Sequence, residues 1–309
     1  SEMCIRDRYS IIIPHKNTSD LLIRCVKSIP QRSDVEIIIV DDCSNETEFH
    51  KIQDLDNDDK RIKIIRSTEG KGAGAARNIG ISFASGEWLL FADSDDFYEN
   101  DFLSVIDRIL KNNTDVLYFS ARSVDCLTLK PARRLPGIKS IFDNYFRDKN
   151  NGLDAIKYKL FAPWNKVFNA KFVKKYNLLF DETIKGNDIT FTILAGYFAK
   201  NIQVIPNELY IVTYRPDSMT FTKRSIDSYI CDICNHLMIN EFFSFLGRSK
   251  WKINILKEDV LKCFYHRGPI FCLIFIFNII RHYKVILKHK THILNKIQER
   301  LNIVQNDKR

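Results

Sequence analysis

The sequence predicts an α/β fold with a mostly parallel sheet and helices on both faces, followed by a basic helical extension. Short apolar runs alternate with amphipathic helices through the first part of the chain, which is the pattern of consecutive βαβ units. Polar clusters follow several of the strands, and ligands bind at the carboxyl ends of strands in such sheets. The segment from Cys231 to Arg309 has 14 lysines and arginines against six aspartates and glutamates, which accounts for eight of the nine net positive charges.

The first elements are indicated by local patterns. An apolar run stopped by Pro14 suits a buried strand, and an apolar stripe after a Ser19 or Asp20 cap predicts the first helix. Strands are expected at residues 9–14, 35–42, 61–67, 87–92 and 115–121. Helices are expected within residues 17–29, 46–55, 69–85 and 101–111.

The rest of the chain is less regular. Residues 127–160 are polar and basic and predict a mobile loop with a helix near residues 152–160. A loop, two helices and a turn are expected next, followed by a strand pair within residues 202–215. The predicted domains are a non-native or disordered leader at residues 1–8, an α/β domain at 9–225 and a helical extension at 226–309.

Eight cysteines are scattered along the chain, which is typical of a reduced intracellular protein rather than of a disulfide framework. Cys231 with Cys234 and Cys263 with His266 have spacings that could hold zinc. Both pairs lie in apolar, helix-like sequence without turn-forming glycines, which favours buried cysteines on helices instead.

The stretch FADSDDFY, residues 91–98, ends an apolar strand in three carboxylates. Asp93 and Asp95 alternate along an extended chain and therefore can address one cation. Mg²⁺ and Mn²⁺ prefer carboxylates and keep positions for phosphate oxygens. The alternative is an N-cap cluster for the helix that begins near Asp101.

Two other strand ends carry polar groups. Asp41 and Asp42 end the second strand, where a carboxylate can accept hydrogen bonds from a base or a ribose, although helix capping would also explain them. The loop GKGAGAARN offers backbone N–H groups, Lys71 and Arg77 to a phosphate. It lacks the third glycine of a dinucleotide fingerprint and follows the third strand, not the first.

Four blocks in this order, SIIIPHKN, EIIIVDDCS, GKGAGAARNIG and ASGEWLLFADSDDFY, resemble the catalytic domain of glycosyltransferase family 2, and PWNKVFNAKFVKKYNLLFDETIKGND continues the resemblance. Together the blocks cover roughly residues 9–220. The resemblance implies a Rossmann-like GT-A fold and inverting transfer from a nucleoside-diphosphate-sugar, with Mn²⁺ or Mg²⁺ as cofactor. It also implies a glycan or lipid-linked acceptor in bacterial capsule, lipopolysaccharide or exopolysaccharide assembly.

The resemblance assigns donor-side roles residue by residue. Asp42 matches the carboxylate that contacts the base, usually uracil, and Asp95 matches the direct metal ligand. Asp93 and Asp95 match the DxD pair of the family, in which Asp93 is a sugar or ribose contact or a second metal ligand. Arg215 and Ser218 match a loop that can close over the diphosphate. The remaining donor-side positions are Pro14, Lys16, Lys71, Arg77, Asn78 and Ser94.

The resemblance also assigns the catalytic base to Asp188. The family normally has a Glu-Asp pair here, and this chain has Asn187-Asp188, which puts acceptor contacts or the tuning of Asp188 in question. Trp164, Asn165 and Lys166 match a block near the acceptor, with a packing corner as the alternative.

The C-terminal segment has an apolar run at residues 270–280, shorter than the roughly 20 residues that span a bilayer. The helix expected after it has lysines and arginines on one face and an apolar stripe on the other: Ile286, Ile293, Leu294, Ile297 and Leu301. Such a helix can lie on an anionic membrane surface, so we expect a cytoplasmic protein peripherally bound to the inner face of the cell membrane. The alternative is that the stripe packs on the α/β domain or on a second subunit of a homo-oligomer.

Three other functions fit the sequence less well. A sugar-phosphate nucleotidyltransferase would carry a glycine- and arginine-rich signature after the first strand, which PHKNTSD lacks. A non-catalytic nucleotide-sugar-binding protein is suggested only by Asn187. Nucleic acid is not expected as a partner, because the aromatic residues of the basic segment are not interleaved with its charges.

Overall fold

The computed structural model describes residues 7–135, 137–215 and 225–306, with side chains as far as residue 302. The described strands are β1 Tyr9–His15, β2 Val35–Asp42, β3 Ile62–Ser67, β4 Trp88–Phe91, β5 Phe97–Tyr98, β6 Val116–Asp125, β7 Lys166–Asn169 and β8 Ile202–Tyr214. The first nine helices are α1 Ser19–Lys27, α2 Glu46–His50, α3 Leu55–Asp58, α4 Ala73–Phe83, α5 Phe102–Ile109, α6 Ile138–Arg147, α7 Lys149–Lys159, α8 Ala170–Lys175 and α9 Ile189–Phe198. The C-terminal helices are α10 Ile226–Phe245, α11 Lys262–Arg267, α12 Pro269–Arg281, α13 Tyr283–Lys290 and α14 His292–Asn306, with a 3₁₀ turn at Ser249–Trp251 and a π-helical turn at Leu256–Leu261.

One sheet runs through the α/β region in the order β3-β2-β1-β4-β7-β6-β8-β5. Strands β3, β2, β1 and β4 are parallel, as are β6 and β8, whereas β7 and β5 are antiparallel to their neighbours. Among the described residues, four strand pairs are therefore parallel and three antiparallel. The carboxyl ends of β1, β2 and β4 meet at one edge of the sheet, where the sequence places its polar clusters.

Two cores lie on the two faces of the sheet, as predicted. Every residue of β1 and β2 is buried, which explains why these strands are continuously apolar rather than alternating. Ile12 and Ile38 belong to one core, and Ile11 and Ile37 belong to the other. Helices therefore cover both faces of the parallel strands.

Several element predictions were incomplete. The single helix expected at residues 46–55 is two short helices, and residues 127–160 hold two helices rather than one. The expected strand pair near the end of the α/β region is one strand, β8, and its register with β6 shifts around Pro206. Such an irregularity accommodates a proline, which cannot donate a ladder hydrogen bond.

The predicted leader is only partly visible, since residues 1–6 lie outside the described part. Arg8 belongs to the fold, because its backbone N–H donates to the Asp34 carbonyl at 2.8 Å and its side chain lies 2.9 Å from Asp107. The predicted boundary near residue 225 falls at the start of α10, directly after residues 216–224, which lie outside the described part.

The prediction that the apolar stripe of the last helices lies on a membrane surface was wrong for most of its residues. Ile286, Ile293 and Ile297 are buried, and the last two join the same core as Ile12. This stripe packs on the protein because α13 and α14 fold back against α10 and α9.

Candidate active site

Asp41 and Asp42 end β2 and have different environments, because successive side chains of a strand point to opposite faces. Asp41 is fully buried and lies 2.9 Å from His15 Nδ1. The Thr18 backbone N–H donates to His15 Nε2 at 3.2 Å, so Nδ1 carries the proton and donates to Asp41. Burial alone would raise the pKa of Asp41, but hydrogen bonds from His15 and Ser44 lower it. Asp41 therefore braces the loop after β1.

Asp42 is also buried, but it faces Lys16 and the glycine-rich loop. Its Oδ2 atom accepts the Gly72 backbone N–H at 3.0 Å and lies 3.5 Å from Lys16 Nζ. Its Oδ1 atom is buried and has no hydrogen-bond partner among the described residues. A buried acceptor without a partner is costly in a folded protein, and a bound donor would satisfy it.

The glycine-rich loop connects Asp42 with the start of α4. Gly72 has φ of +92°, a conformation that favours glycine, and its N–H is the donor to Asp42. Lys71 is half-exposed and its ammonium lies 2.5 Å from Glu69. Pro14 is buried in β1 beside Val40. The loop thus places its glycine backbone next to Asp42 and leaves Lys71 on the rim.

Arg77 connects two segments of the site by hydrogen bonds. It is buried on α4, and its guanidinium donates to Asp93 Oδ1 at 2.6 Å and to Asn187 Oδ1 at 2.9 Å. The same guanidinium lies 5.3 Å from the ring centre of Phe180. One side chain therefore ties the Asp93 turn to the loop that carries Asp188.

Residues 93–96 form a tight turn in which each side chain has a different partner. Asp95 Oδ2 pairs with Arg215 at 2.8 Å, and Ser94 Oγ lies 2.9 Å from Thr18 Oγ1. Asp96 is buried and accepts the Thr213 backbone N–H at 2.7 Å, so it holds the turn in place. Ser218, which was predicted to act with Arg215, lies outside the described residues.

The carboxylates of Asp93 and Asp95 suit a hard divalent cation. Their side chains are 35% and 20% exposed, so a ligand can reach them. Burial and the Asp93 charge raise the pKa of Asp95, against the lowering influence of Arg215 and Arg134. The described residues bring together no group of three or more His, Cys, Asp or Glu able to hold a metal, so other ligands would have to come from substrate and water.

Asp188 lies at the start of α9 and is partly buried. Burial raises its pKa, and the charges of Arg77 and Lys166 act in the opposite direction. Asn78 holds the neighbouring segment in place, because its side chain donates to the Phe180 carbonyl at 3.0 Å and accepts the Phe180 N–H at 2.8 Å. A direct contact of Asn78 with a nucleotide stays a prediction.

The block at residues 164–166 lies beneath the site. Lys166 is fully buried, and its ammonium donates to Asn165 Oδ1 at 2.7 Å and to two backbone carbonyls. Burial lowers the pKa of Lys166 to about 7, and the nearby Asp188 charge opposes that shift. Trp164 stacks on Tyr210 with ring centres 5.0 Å apart. These contacts are those of a supporting layer, and an acceptor contact stays a prediction.

Sequence reasoning missed several residues that position the site. Tyr210 Oη accepts the Asp93 backbone N–H at 2.8 Å, Arg24 donates to the Asp95 carbonyl at 2.8 Å, and the Arg134 guanidinium bonds the Thr213 carbonyl. Their partners are distant along the chain, so nothing in the local pattern marks them. Asn187 was noted only as a missing carboxylate, although it is the acceptor that binds Arg77.

The helical extension is anchored to the loop that carries Asp188. Lys185 Nζ lies 2.6 Å from Asp232 Oδ2, and Asn235 donates to the Lys185 carbonyl at 3.3 Å. His292 Nε2 lies 3.0 Å from Asp181 Oδ1 at the other end of the loop. Helices α10 and α14 thus anchor the segment between residues 181 and 188.

Gly74 shows how tightly α4 packs against this loop. A Cβ atom at this position would lie 2.1 Å from the Asp181 carbonyl oxygen and 2.9 Å from Asn187 Cβ. Only glycine therefore permits the observed approach of the two segments.

A family model described as Glycosyl transferase family 2 matches residues 10–176. The uncharacterized glycosyltransferase EpsJ of Bacillus subtilis is 28% identical over 222 residues, which are 68% of this chain and 62% of the relative. Poly(ribitol-phosphate) beta-glucosyltransferase of Bacillus spizizenii is 28% identical over 218 residues, which are 68% of this chain and 33% of that protein. The matches therefore span less than two thirds of these relatives.

Solved structures share the fold. TarS of S. aureus, residues 1–349 with UDP-GlcNAc, superposes with a TM-score of 0.60 at 19% identity and covers 96% of this chain and 83% of that one. The mannosyltransferase PcManGT of Pyrobaculum calidifontis, with GDP-Man and Mn²⁺, gives 0.56 at 12% identity over 96% and 87% of the two chains. The predicted GT-A class with a helical C-terminal region is confirmed by the likeness to TarS.

Proposed function

The chain belongs to glycosyl transferase family 2, and we propose that it moves a sugar from a UDP-sugar to a hydroxyl of a glycan or lipid-linked acceptor in bacterial polysaccharide assembly, with inversion at the anomeric carbon. The observation that carries the proposal is the bridge made by Arg77. It joins Asp93, on the proposed diphosphate side, to Asn187, the neighbour of the proposed base Asp188. Sugar transfer requires the diphosphate-binding group and the general base to lie on either side of the same anomeric carbon.

Asp42 is the residue that we propose to contact the nucleobase of the donor. Its buried Oδ1 atom lacks a partner among the described residues, and the imide N–H of uracil is a donor of the right kind. The TarS structures contain UDP-GlcNAc or UDP, which supports a uridine nucleotide over the GDP-mannose of the mannosyltransferase. Lys16 lies at the rim of the same position, 3.5 Å from Asp42.

Asp93 and Asp95 are the proposed ligands of Mn²⁺ or Mg²⁺, which would neutralise charge on the leaving diphosphate when bound. Arg77 and Arg215 already lie at these carboxylates and can donate to phosphate oxygens. Lys71 on the loop rim adds a further cation near the helix N-terminus of α4. The protein thus supplies several positive groups that can stabilise the negative charge that develops on the diphosphate as it leaves.

Asp188 is the proposed general base for the acceptor hydroxyl. Burial raises its pKa, which moves a carboxylate toward the range in which a base works well near neutral pH. Asn187 accepts from Arg77, so it replaces the missing carboxylate as a neutral anchor and leaves Asp188 as the anionic member of the pair. A single displacement from the side of Asp188 inverts the configuration.

Nucleotide binding and turnover are tested separately. We expect UDP to raise the melting temperature of the parent more with Mn²⁺ than without it, and we expect Asp95→Ala to lose the metal-dependent part. Asp188→Asn should bind UDP like the parent and lower transfer by about 10²–10⁴-fold. If Asp188→Asn transfers sugar at the parent rate, Asp188 is not the base.

The second candidate, a nucleotide-sugar-binding protein without turnover, is favoured by Asn187 at the position of the usual acidic neighbour. It predicts donor binding to the parent with neither sugar transfer nor donor hydrolysis, across a panel of UDP-sugars and glycan acceptors. Asn187→Glu would then be expected to create activity. Under the main proposal the parent is active and Asn187→Glu changes the rate without creating it.

A further inference from the structure

Helices α11, α12 and α13 have many exposed apolar residues, which are here together called the α12 surface. Ile270, Leu273, Phe277 and Ile280 of α12 are each more than 60% exposed. Further exposed apolar residues lie on the neighbouring helices: Phe264, Tyr265, Tyr283, Val285 and Leu287. Scattered apolar residues are ordinary on protein surfaces, but a group of this size on consecutive helices indicates a binding surface.

The opposite face of the same helices is already used for packing. Cys272 and Phe275 of α12 and Ile286 of α13 are buried with Tyr229 and Ile233 of α10 in a small separate core. Helix α12 is therefore apolar on its buried face and on its exposed face. A helix that is apolar all round is normally covered on all sides.

The charged residues of α11, α12 and α13 themselves have one sign. Between Asp259 and Glu299 the chain has seven lysines and arginines and no carboxylate. Arg281, Lys284 and Lys288 are exposed and make no ion pair within the part of the chain that the structure describes. An apolar patch with a cationic rim matches an anionic lipid surface, in which acyl chains lie beneath negative headgroups.

The dimensions favour a helix that lies on the membrane. Among the described helices none is long and apolar enough to cross a bilayer alone. Only the pair α12 and α13, which is bent by 70°, has enough length and apolar character when the two helices are taken together. Helix α12 has 13 residues and is about 20 Å long at 1.5 Å per residue, less than the roughly 30 Å of a hydrocarbon core. The buried face of α12 packs against α10 and therefore stays on the protein.

We propose that the α12 surface docks the protein onto an anionic membrane, with the apolar side chains of α12 and α13 inserted at the boundary between headgroups and acyl chains. A second copy of the chain fits less well, because a symmetric contact would place two cationic rims against each other. The surface differs from the stripe that the sequence indicated, because Ile286, Ile293 and Ile297 of that stripe are buried. The inner face of the cell membrane, expected from the sequence, is the location that this proposal implies.

The docking surface is tested with the full chain and vesicles of phosphatidylcholine alone or mixed with phosphatidylglycerol. We expect the parent to float with the anionic vesicles at low salt and to float less at high salt. Leu273→Glu with Phe277→Glu should lower the bound fraction by about tenfold or more. The matched control, Phe83→Glu with Leu127→Glu, changes the net charge equally at exposed apolar positions of the α/β domain and should float like the parent.

Two results would overturn the proposal. The first is a parent that does not float with anionic vesicles at low salt, and the second is an α12 variant that floats as well as its control. Sedimentation of the same proteins without lipid addresses the alternative occupant. A parent dimer that the α12 variant abolishes, without vesicle binding by the parent, would assign the surface to a second copy. Unchanged UDP binding by both variants keeps this outcome separate from the proposed function.

Discussion

The variant Asp42→Asn tests the proposed contact between Asp42 and the uracil ring without changing the shape of the side chain. In the parent, Asp42 Oδ2 accepts the Gly72 N–H at 3.0 Å, and the buried Oδ1 has no donor among the described residues. Asparagine keeps the shape but has one oxygen. If that oxygen faces Gly72, the amide NH₂ faces the N–H of the uracil, and if the amide is turned, it faces the Gly72 N–H instead. Either orientation opposes two donors once UDP is bound.

The magnitude follows from those contacts. A hydrogen bond to a charged acceptor contributes about 1.5–3 kcal/mol, and a buried group without a partner costs about 1–3 kcal/mol. Both figures describe the same lost contact and are not added. Since about 1.4 kcal/mol is a tenfold change in affinity, we expect Asp42→Asn to weaken UDP binding by about 10- to 100-fold. The half-exposed Lys16 at 3.5 Å adds little, because solvent screens it.

The assay is calorimetric titration of UDP with Mn²⁺, together with the melting temperature of each free protein. Asp41→Asn is the matched control, because Asp41 has both oxygens engaged by His15 and Ser44 and points to the opposite face of the strand from Asp42. It should lose about 1–3 kcal/mol of stability and melt several degrees lower, while the folded protein binds UDP nearly as the parent does. Equal UDP affinity of Asp42→Asn and the parent would refute the assignment of Asp42.

The remaining predictions concern the loop that carries Asp188. The pKa of Asp188 is raised above 3.8 by burial, so transfer should fall as the pH decreases through that raised value; a rate that persists below pH 3.8 in a folded enzyme would show that another group acts as base. Gly74→Ala should displace the loop and lower kcat by about tenfold or more, whereas Gly137→Ala, which meets no atom within 4 Å, should match the parent. Lys185→Met and Asp232→Asn should each lower kcat a few-fold, and a double-mutant cycle should give a coupling of about 0.5–1 kcal/mol; independent effects would mean that the 2.6 Å ion pair does not hold the loop.

The parts of the fold that the sequence predicted are those encoded by short-range patterns. Strands β1 and β2 are continuous apolar runs because both faces are buried, and the carboxylates at their ends stand out for that reason. The different environments of Asp41 and Asp42 also follow from strand alternation, once His15 is known to lie beside Asp41.

The parts that were missed depend on contacts between distant segments. Strand β7 is four residues long and is defined by its pairing with β4 and β6, not by its own composition. The link from Arg77 to Asn187 joins residues 110 positions apart, so no local pattern could indicate it. The amphipathic stripe of α13 and α14 was visible, but an apolar stripe does not say whether protein or lipid covers it.

Helix α10 connects the two surfaces for which we propose functions. Asp232 and Asn235 contact the segment that carries Asp188, while Tyr229, three residues before Asp232, packs with its ring centre 5.3 Å from that of Phe275 on α12. If the exposed face of α12 binds a membrane, only α12 would separate that membrane from α10, the helix that contacts the loop of the proposed base Asp188. For an acceptor embedded in that membrane, such an arrangement fixes the orientation of the proposed base relative to the lipid surface, and orientation of this kind contributes directly to the rate. If both proposals hold, the extension would belong to the acceptor side of the enzyme and would not be a separate anchor.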